Sequence, residues 1–167
     1  MVSSFMLDAM SVSHEIGMLC TAPCPPMPFN SVKSRHKEDT MQFHMIPGGP
    51  KPVAPFSHAV ETDGFIFVTG QMPDSPEAPG VLPRGIIAQT NAVLKNLKHL
   101  LQGLNIGLEH VVMARIYLTN FSGDYAAMNE TWRSFFPADR LPARTCVGVT
   151  GLAYDALIEI DLVCRRP

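Results

Sequence analysis

From Pro55 onward the chain switches between two hydrophobic periods, and the switches mark its elements. His58–Thr62 and Phe65–Gln71 are short β-forming runs on either side of Asp63-Gly64, a dipeptide that favours a two-residue hairpin. Gly70, near the end of the second run, marks a point where the backbone needs room or unusual dihedrals. MPDSPEAPGVLP, with four prolines, reads as a loop. The period then becomes helical. Ile86, Ile87, Thr90, Val93, Leu94, Leu97, Leu100, Leu101 and Leu104 recur at steps of three and four, opposite a face carrying Gln89, Lys95, Asn96 and Lys98. Gly103 and Gly107 end this helix.

HVVMARIYLTN returns to alternation, with Val112, Ala114, Ile116 and Leu118 set against Val111, Met113, Arg115 and Tyr117. A second helix is predicted from an N-cap at Ser122 to Pro137, with Tyr125, Met128, Asn129, Trp132 and Phe136 on one side. ARTCVGVT and ALIEIDLVCR are the last strands and, being consecutive, are expected to pair. The order β-β-α-β-α-β-β predicts an α+β layer with both helices on one face of a mixed sheet. The other face then needs a second subunit to cover it.

The totals suit this picture. A chain of 167 residues with 46% hydrophobic and 17% charged residues can bury one sizeable core. A net charge of -2 gives no reason to expect a nucleic-acid partner, and no apolar run is long enough to span a bilayer. Residues 1–45 stand apart: MLCTAPCPPMPFNS and the charged SRHKEDT show no sustained period and read as a poorly ordered or mis-called extension, with Met41 as an alternative start, ahead of a domain over 46–167. Cys20 and Cys24, with His14 and His36, match no strong zinc spacing. The four cysteines form no disulfide framework, which points to a reducing, cytoplasmic location.

The candidate chemistry lies in the last two strands. In residues 143–150, Thr145, Val147 and Val149 form the more apolar face, and Arg144, Cys146, Gly148 and Thr150 the other. In the final strand, Ile158, Ile160, Leu162 and Cys164 alternate with Leu157, Glu159, Asp161 and Val163. Arg144 opposite Glu159 or Asp161 reads either as a cross-strand ion pair or as an anion site in which a guanidinium grips a carboxylate while an acid handles a proton. Cys146 has no histidine partner in a local motif that would make it a nucleophile.

Four stretches carry a family resemblance. PFSHAV, FIFVTGQMP, DYAAMNETWRSFFP and LPARTCVGVTGLAYDALIEIDLV occur in the order of the matching stretches of the Rid family, the reactive-intermediate deaminases also called YjgF-like proteins, and resemble its RidA type. The resemblance implies a chorismate-mutase-like fold, a homotrimer with sites between subunits, no metal or organic cofactor, and hydrolysis of 2-imino or enamine carboxylates to 2-keto acids and ammonia. It implies that Arg144 binds the substrate carboxylate and that Glu159 positions or activates water. It also implies that Phe56, Gly70, Asn129 and Cys146 line the cleft, Cys146 through its backbone. Three positions depart from the family pattern: Phe56 where a tyrosine is usual, His58 for glutamine, and Asp161 for a second glutamate. Phe56 raises the prospect of a pathway-specific relative, such as an aminomuconate- or aminoacrylate-type deaminase. A non-catalytic carboxylate-binding regulatory trimer is the reading from a different class. The family's link to RNA cleavage ranks low against the net charge.

Overall fold

The computed structural model describes residues 41–52 and 54–167; the expectations for residues 1–40, including the metal-ligand reading of His14, Cys20, Cys24 and His36, lie outside these residues. The described elements are β1 (Gln42–His44), β2 (Ala59–Thr62), β3 (Phe65–Gln71), α1 (Ile86–Gly103), β4 (Val111–Leu118), α2 (Phe121–Arg133), β5 (Ala143–Gly148) and β6 (Ile158–Arg165). They form a mixed six-stranded sheet in the order β1-β2-β3-β6-β4-β5. Every pairing is antiparallel except β4 with β5. The α+β class is as expected, with β1 added in front through pairing with β2. Among the described residues, no helix is long and apolar enough to cross a membrane.

Local chemistry explains most boundaries. Asp63 and Gly64 both take positive φ, 51° and 76°, and close β2 onto β3 with Thr62 opposite Phe65, as a type I′ turn requires. The core lies between the helices and one sheet face. Ile66, Val68, Ala114, Ile116, Leu118, Ile158, Ile160, Leu162 and Cys164 from the sheet meet Val93, Leu94, Leu97, Leu100 and Leu101 of α1 and Met128 and Trp132 of α2. β4 departs from simple alternation at its start. A bulge between Val111 and Met113 turns Val112 outward, 46% exposed, and packs Val111 against the core instead. Gln89, assigned above to the polar helix face, is buried. Its amide donates to the Pro83 carbonyl at 3.0 Å and accepts from the Leu157 N–H at 2.8 Å, tying the proline-rich loop to the start of β6.

The last two strands do not pair. β5 lies parallel to β4 at the sheet edge, while β6 inserts between β3 and β4. The connection through residues 149–157 carries the chain across β4, and β6 takes the interior position with an apolar side chain, Ile158, Ile160, Leu162 or Cys164, at each core-facing site.

Beyond β6, Arg166 clasps the hairpin. Its Nε and Nη2 donate to Glu61 Oε1 and Oε2 at 2.9 and 2.8 Å, and Nη1 donates to the Leu104 carbonyl. The Arg166 hydrogen bonds hold the Glu61 carboxyl below the usual carboxylate range, outweighing its burial. A lowered folded-state value stabilises the fold above the unfolded pKa and loses that contribution as pH falls through the folded value. Glu61→Gln is therefore expected to lower stability at pH 7 by about 1 kcal/mol, the pair being partly exposed to solvent. Urea melts should show this difference shrinking as pH falls below the usual carboxylate range, about pH 4; a gap that does not narrow at all on further acidification would contradict the assignment.

Candidate functional site

β6 divides chemistry from core. Ile158, Ile160, Leu162 and Cys164 face the helices, and Glu159, Asp161 and Val163 face the open side of the sheet. Asp161 is fully engaged there: Arg115 Nε donates to its Oδ1 at 2.8 Å and the Tyr117 hydroxyl to its Oδ2 at 2.9 Å. Glu159, opposite Tyr117, makes no hydrogen bond to the described residues and lies half-buried against Gly70. β3 carries a bulge between Val68 and Gln71, and a Cβ built on Gly70 would land on the Glu159 carboxylate. Gly70 thus provides room rather than an unusual dihedral. Burial pushes the Glu159 carboxyl above its ordinary value, and repulsion from Asp161 adds to this.

The segment before β2 delivers Phe56 to the same place. The Thr69 N–H donates to the His58 carbonyl at 3.0 Å and the Thr69 hydroxyl to the Ser57 carbonyl at 2.7 Å, so Phe56 lies beside Gly70. His58 is anchored from behind: Nδ1 accepts from the Ile46 N–H at 2.8 Å, which leaves the ring hydrogen on Nε2 for the Pro50 carbonyl, also 2.8 Å away. Phe56, Gly70, Met72, Asp74 and Tyr154 line one cleft. Gly70 is shared with a recess on the open sheet face bordered by Phe67, Arg115 and Asp161. Tyr154 stands at φ 57°, a left-handed backbone uncommon for tyrosine, and its ring packs on Gly80.

Arg144 belongs elsewhere. On β5 it is the Arg144 and Cys146 side that turns toward the helices, while Thr145 and Val147 are exposed on the open face, the reverse of the assignment made from sequence. The cross-strand pair with Glu159 or Asp161 is therefore absent: β5 and β6 are not neighbours, and the residues occupy opposite sheet faces. The Arg144 guanidinium lies over the Trp132 ring, 5.7 Å from its centroid, and pairs with no carboxylate among the described residues. Asn129, Trp132, Arg133, Leu141, Pro142 and Arg144 line an open cleft of ≈ 390 Å³. Asn129 Oδ1 is buried there without a hydrogen-bond partner. Cys146 packs against the core, and burial pushes its thiol up against the opposing pull of Arg144, so it is no activated nucleophile.

The six sequence-predicted residues thus fall into two groups, Phe56 with Gly70 and Glu159, and Asn129 with Arg144 and Cys146. Sequence reasoning missed Tyr154, a lone aromatic in a connection with no period to reveal it. It also missed Arg133, whose only signal was its place four residues after Asn129 on α2. Among the described residues no cluster of three or more His, Cys, Asp or Glu is placed to hold a metal.

The family model described as endoribonuclease L-PSP matches residues 48–165. The chain is 38% identical over 117 residues to a RutC family protein of Pyrococcus abyssi, covering 70% of this chain and 91% of the relative. It is 37% identical over 118 residues to the 3-aminoacrylate deaminase RutC of Acinetobacter baylyi, covering 71% and 92%. The crystal structure of the YjgF gene product from E. coli superposes with a TM-score of 0.68 at 26% identity, over 75% of this chain and 99% of that one.

Gly70→Ala is expected to cost about 1–3 kcal/mol by overpacking against Glu159. Adding Glu159→Ala should recover most of that loss in urea melts, because the nearest atoms the new Cβ meets belong to that side chain; no recovery would mean the glycine serves the bulge rather than the carboxylate.

Proposed function

Because the chain belongs to the Rid family of YjgF-like and RutC proteins, we propose that it hydrolyses 2-imino or enamine carboxylates to 2-keto acids and ammonia in sites shared between subunits of a homotrimer. The observation that carries this reading is the division of the site. A guanidinium without an ion-pair partner among the described residues, Arg144, lies on one sheet face, and an acid of raised pKa, Glu159, lies on the other. One chain cannot bring both to a small substrate; two adjacent copies can. The open sheet face supports such an assembly, since Phe43, Phe65, Phe67 and Val147 are 66, 38, 47 and 40% exposed in the single chain.

In the proposed site Arg144 holds the carboxylate through charge-assisted bonds and fixes the imine carbon before Glu159. Glu159 accepts a proton as water adds to that carbon. With the substrate as its iminium, this addition gives a neutral carbinolamine; Glu159 returns the proton to nitrogen, and as the C–N bond breaks the hydroxyl proton passes to Glu159, leaving the carbonyl and ammonia. Asn129 Oδ1 accepts the substrate N–H, which satisfies an otherwise orphaned acceptor. Enamine acids enter the same path after protonation at carbon. The likeness to the Acinetobacter 3-aminoacrylate deaminase favours that substrate class as a second reading. Phe56 itself contributes no hydroxyl to the cleft it lines with Tyr154.

The test is ammonia release from a 2-imino acid generated in situ by an amino-acid oxidase. Arg144→Ala should lower kcat/KM by about 100-fold, as expected for losing roughly 3 kcal/mol of charged hydrogen bonding. Full activity in that variant overturns the reading. A rate gained by Phe56→Tyr would identify a wild type tuned to another substrate. Asp161→Asn removes a negative neighbour and lowers the Glu159 pKa, so the acidic limb of the kcat/KM profile should move to lower pH. A monomer by light scattering would remove the shared site.

A further inference from the structure

Resting on the reading of the Arg144 cleft as a carboxylate site, we propose that the preferred substrate carries a second acidic group, as a dicarboxylic imine or enamine acid, and that Arg133 holds it. Arg133 follows Asn129 by one helical turn on α2, and both line the cleft with Arg144. No carboxylate lines that cleft, and neither guanidinium has an ion-pair partner among the described residues. Within one chain two like charges facing one space repel, and a ligand with a single carboxylate balances only one of them; Glu159 of the adjacent copy is placed at the imine carbon, not at Arg133. At ≈ 390 Å³ the cleft is in the range of small-molecule sites and roomy for a short monoacid. Trp132, Leu141 and Pro142 give it apolar walls for the carbon skeleton between two acidic ends.

Arg133 also occupies the last turn of α2, where a cation is favoured by the helix dipole. That role alone would move the melting temperature and leave ligand preference untouched. The full chain is therefore assayed on 2-iminosuccinate and on 2-iminopropanoate, each made in situ. Wild type should favour the dicarboxylic imine by about tenfold in kcat/KM, and Arg133→Gln should bring that ratio close to one, mainly through KM. Arg133→Lys should keep most of the preference. Calorimetry with succinate and with propanoate reads the cleft without turnover. Tighter binding of succinate that is lost in Arg133→Gln supports the proposal even if neither imine is hydrolysed, an outcome that would sink only the deaminase reading. Equal affinities, or a preference that survives Arg133→Gln, overturn it.

Discussion

β6 is hydrogen-bonded along both edges, to β3 and to β4, and its two-residue period commits alternate side chains to opposite surfaces. That constraint shapes the rest of the molecule. Four apolar residues of the strand fix the core against α1 and α2, and the intervening Glu159 and Asp161 have nowhere to go but the open face. Asp161 is stabilised by Arg115 and Tyr117 from the neighbouring strand. Glu159 makes no hydrogen bond to the described residues and lies against the bare backbone where β3 bulges at Gly70. An acid kept half-dry and beside another carboxylate is poised to exchange protons nearer neutrality than an exposed one.

The same pleat separates Arg144 from Glu159. A one-residue difference in register on β5 would have brought the guanidinium to the acid's face, so the separation is a property of strand phase and not of distance along the chain. Trp132 supports the guanidinium from below, and no carboxylate among the described residues neutralises it. In the proposed trimer the two faces of adjacent copies would converge, and assembly would complete the site. The exposed phenylalanines of the open face and the unpaired charge of the helix-side cleft then have one common explanation.

Much of the fold was legible in the sequence. The Asp63-Gly64 turn, the leucine stripe of α1 and the alternation in β6 are local signals, each set by dihedral preference or period. What was not legible depends on contacts between distant segments. Gln89 looks like a surface residue until the Pro83 carbonyl and the Leu157 N–H surround it. Val112 faces outward because of a bulge that composition does not announce. The phase of β5 was misread because Thr145 and Val147 are its more β-like residues, yet they lie on a face left open in the single chain. Adjacency in sequence also misled: β5 and β6 are consecutive, but the strand with apolar residues at every inward position takes the centre.

The central strand is also made after every strand it joins. As the chain is synthesised, the β1–β3 hairpin layer and the β4–α2–β5 unit emerge first, and they have no direct strand pairing with one another. Until residues 158–165 leave the ribosome, each half presents an unpaired edge and part of an uncovered apolar face to whatever chaperone or nascent neighbour is present. Closure of the sheet is then a late, long-range step, and the growing chain is most vulnerable to misassociation just before its last strand arrives.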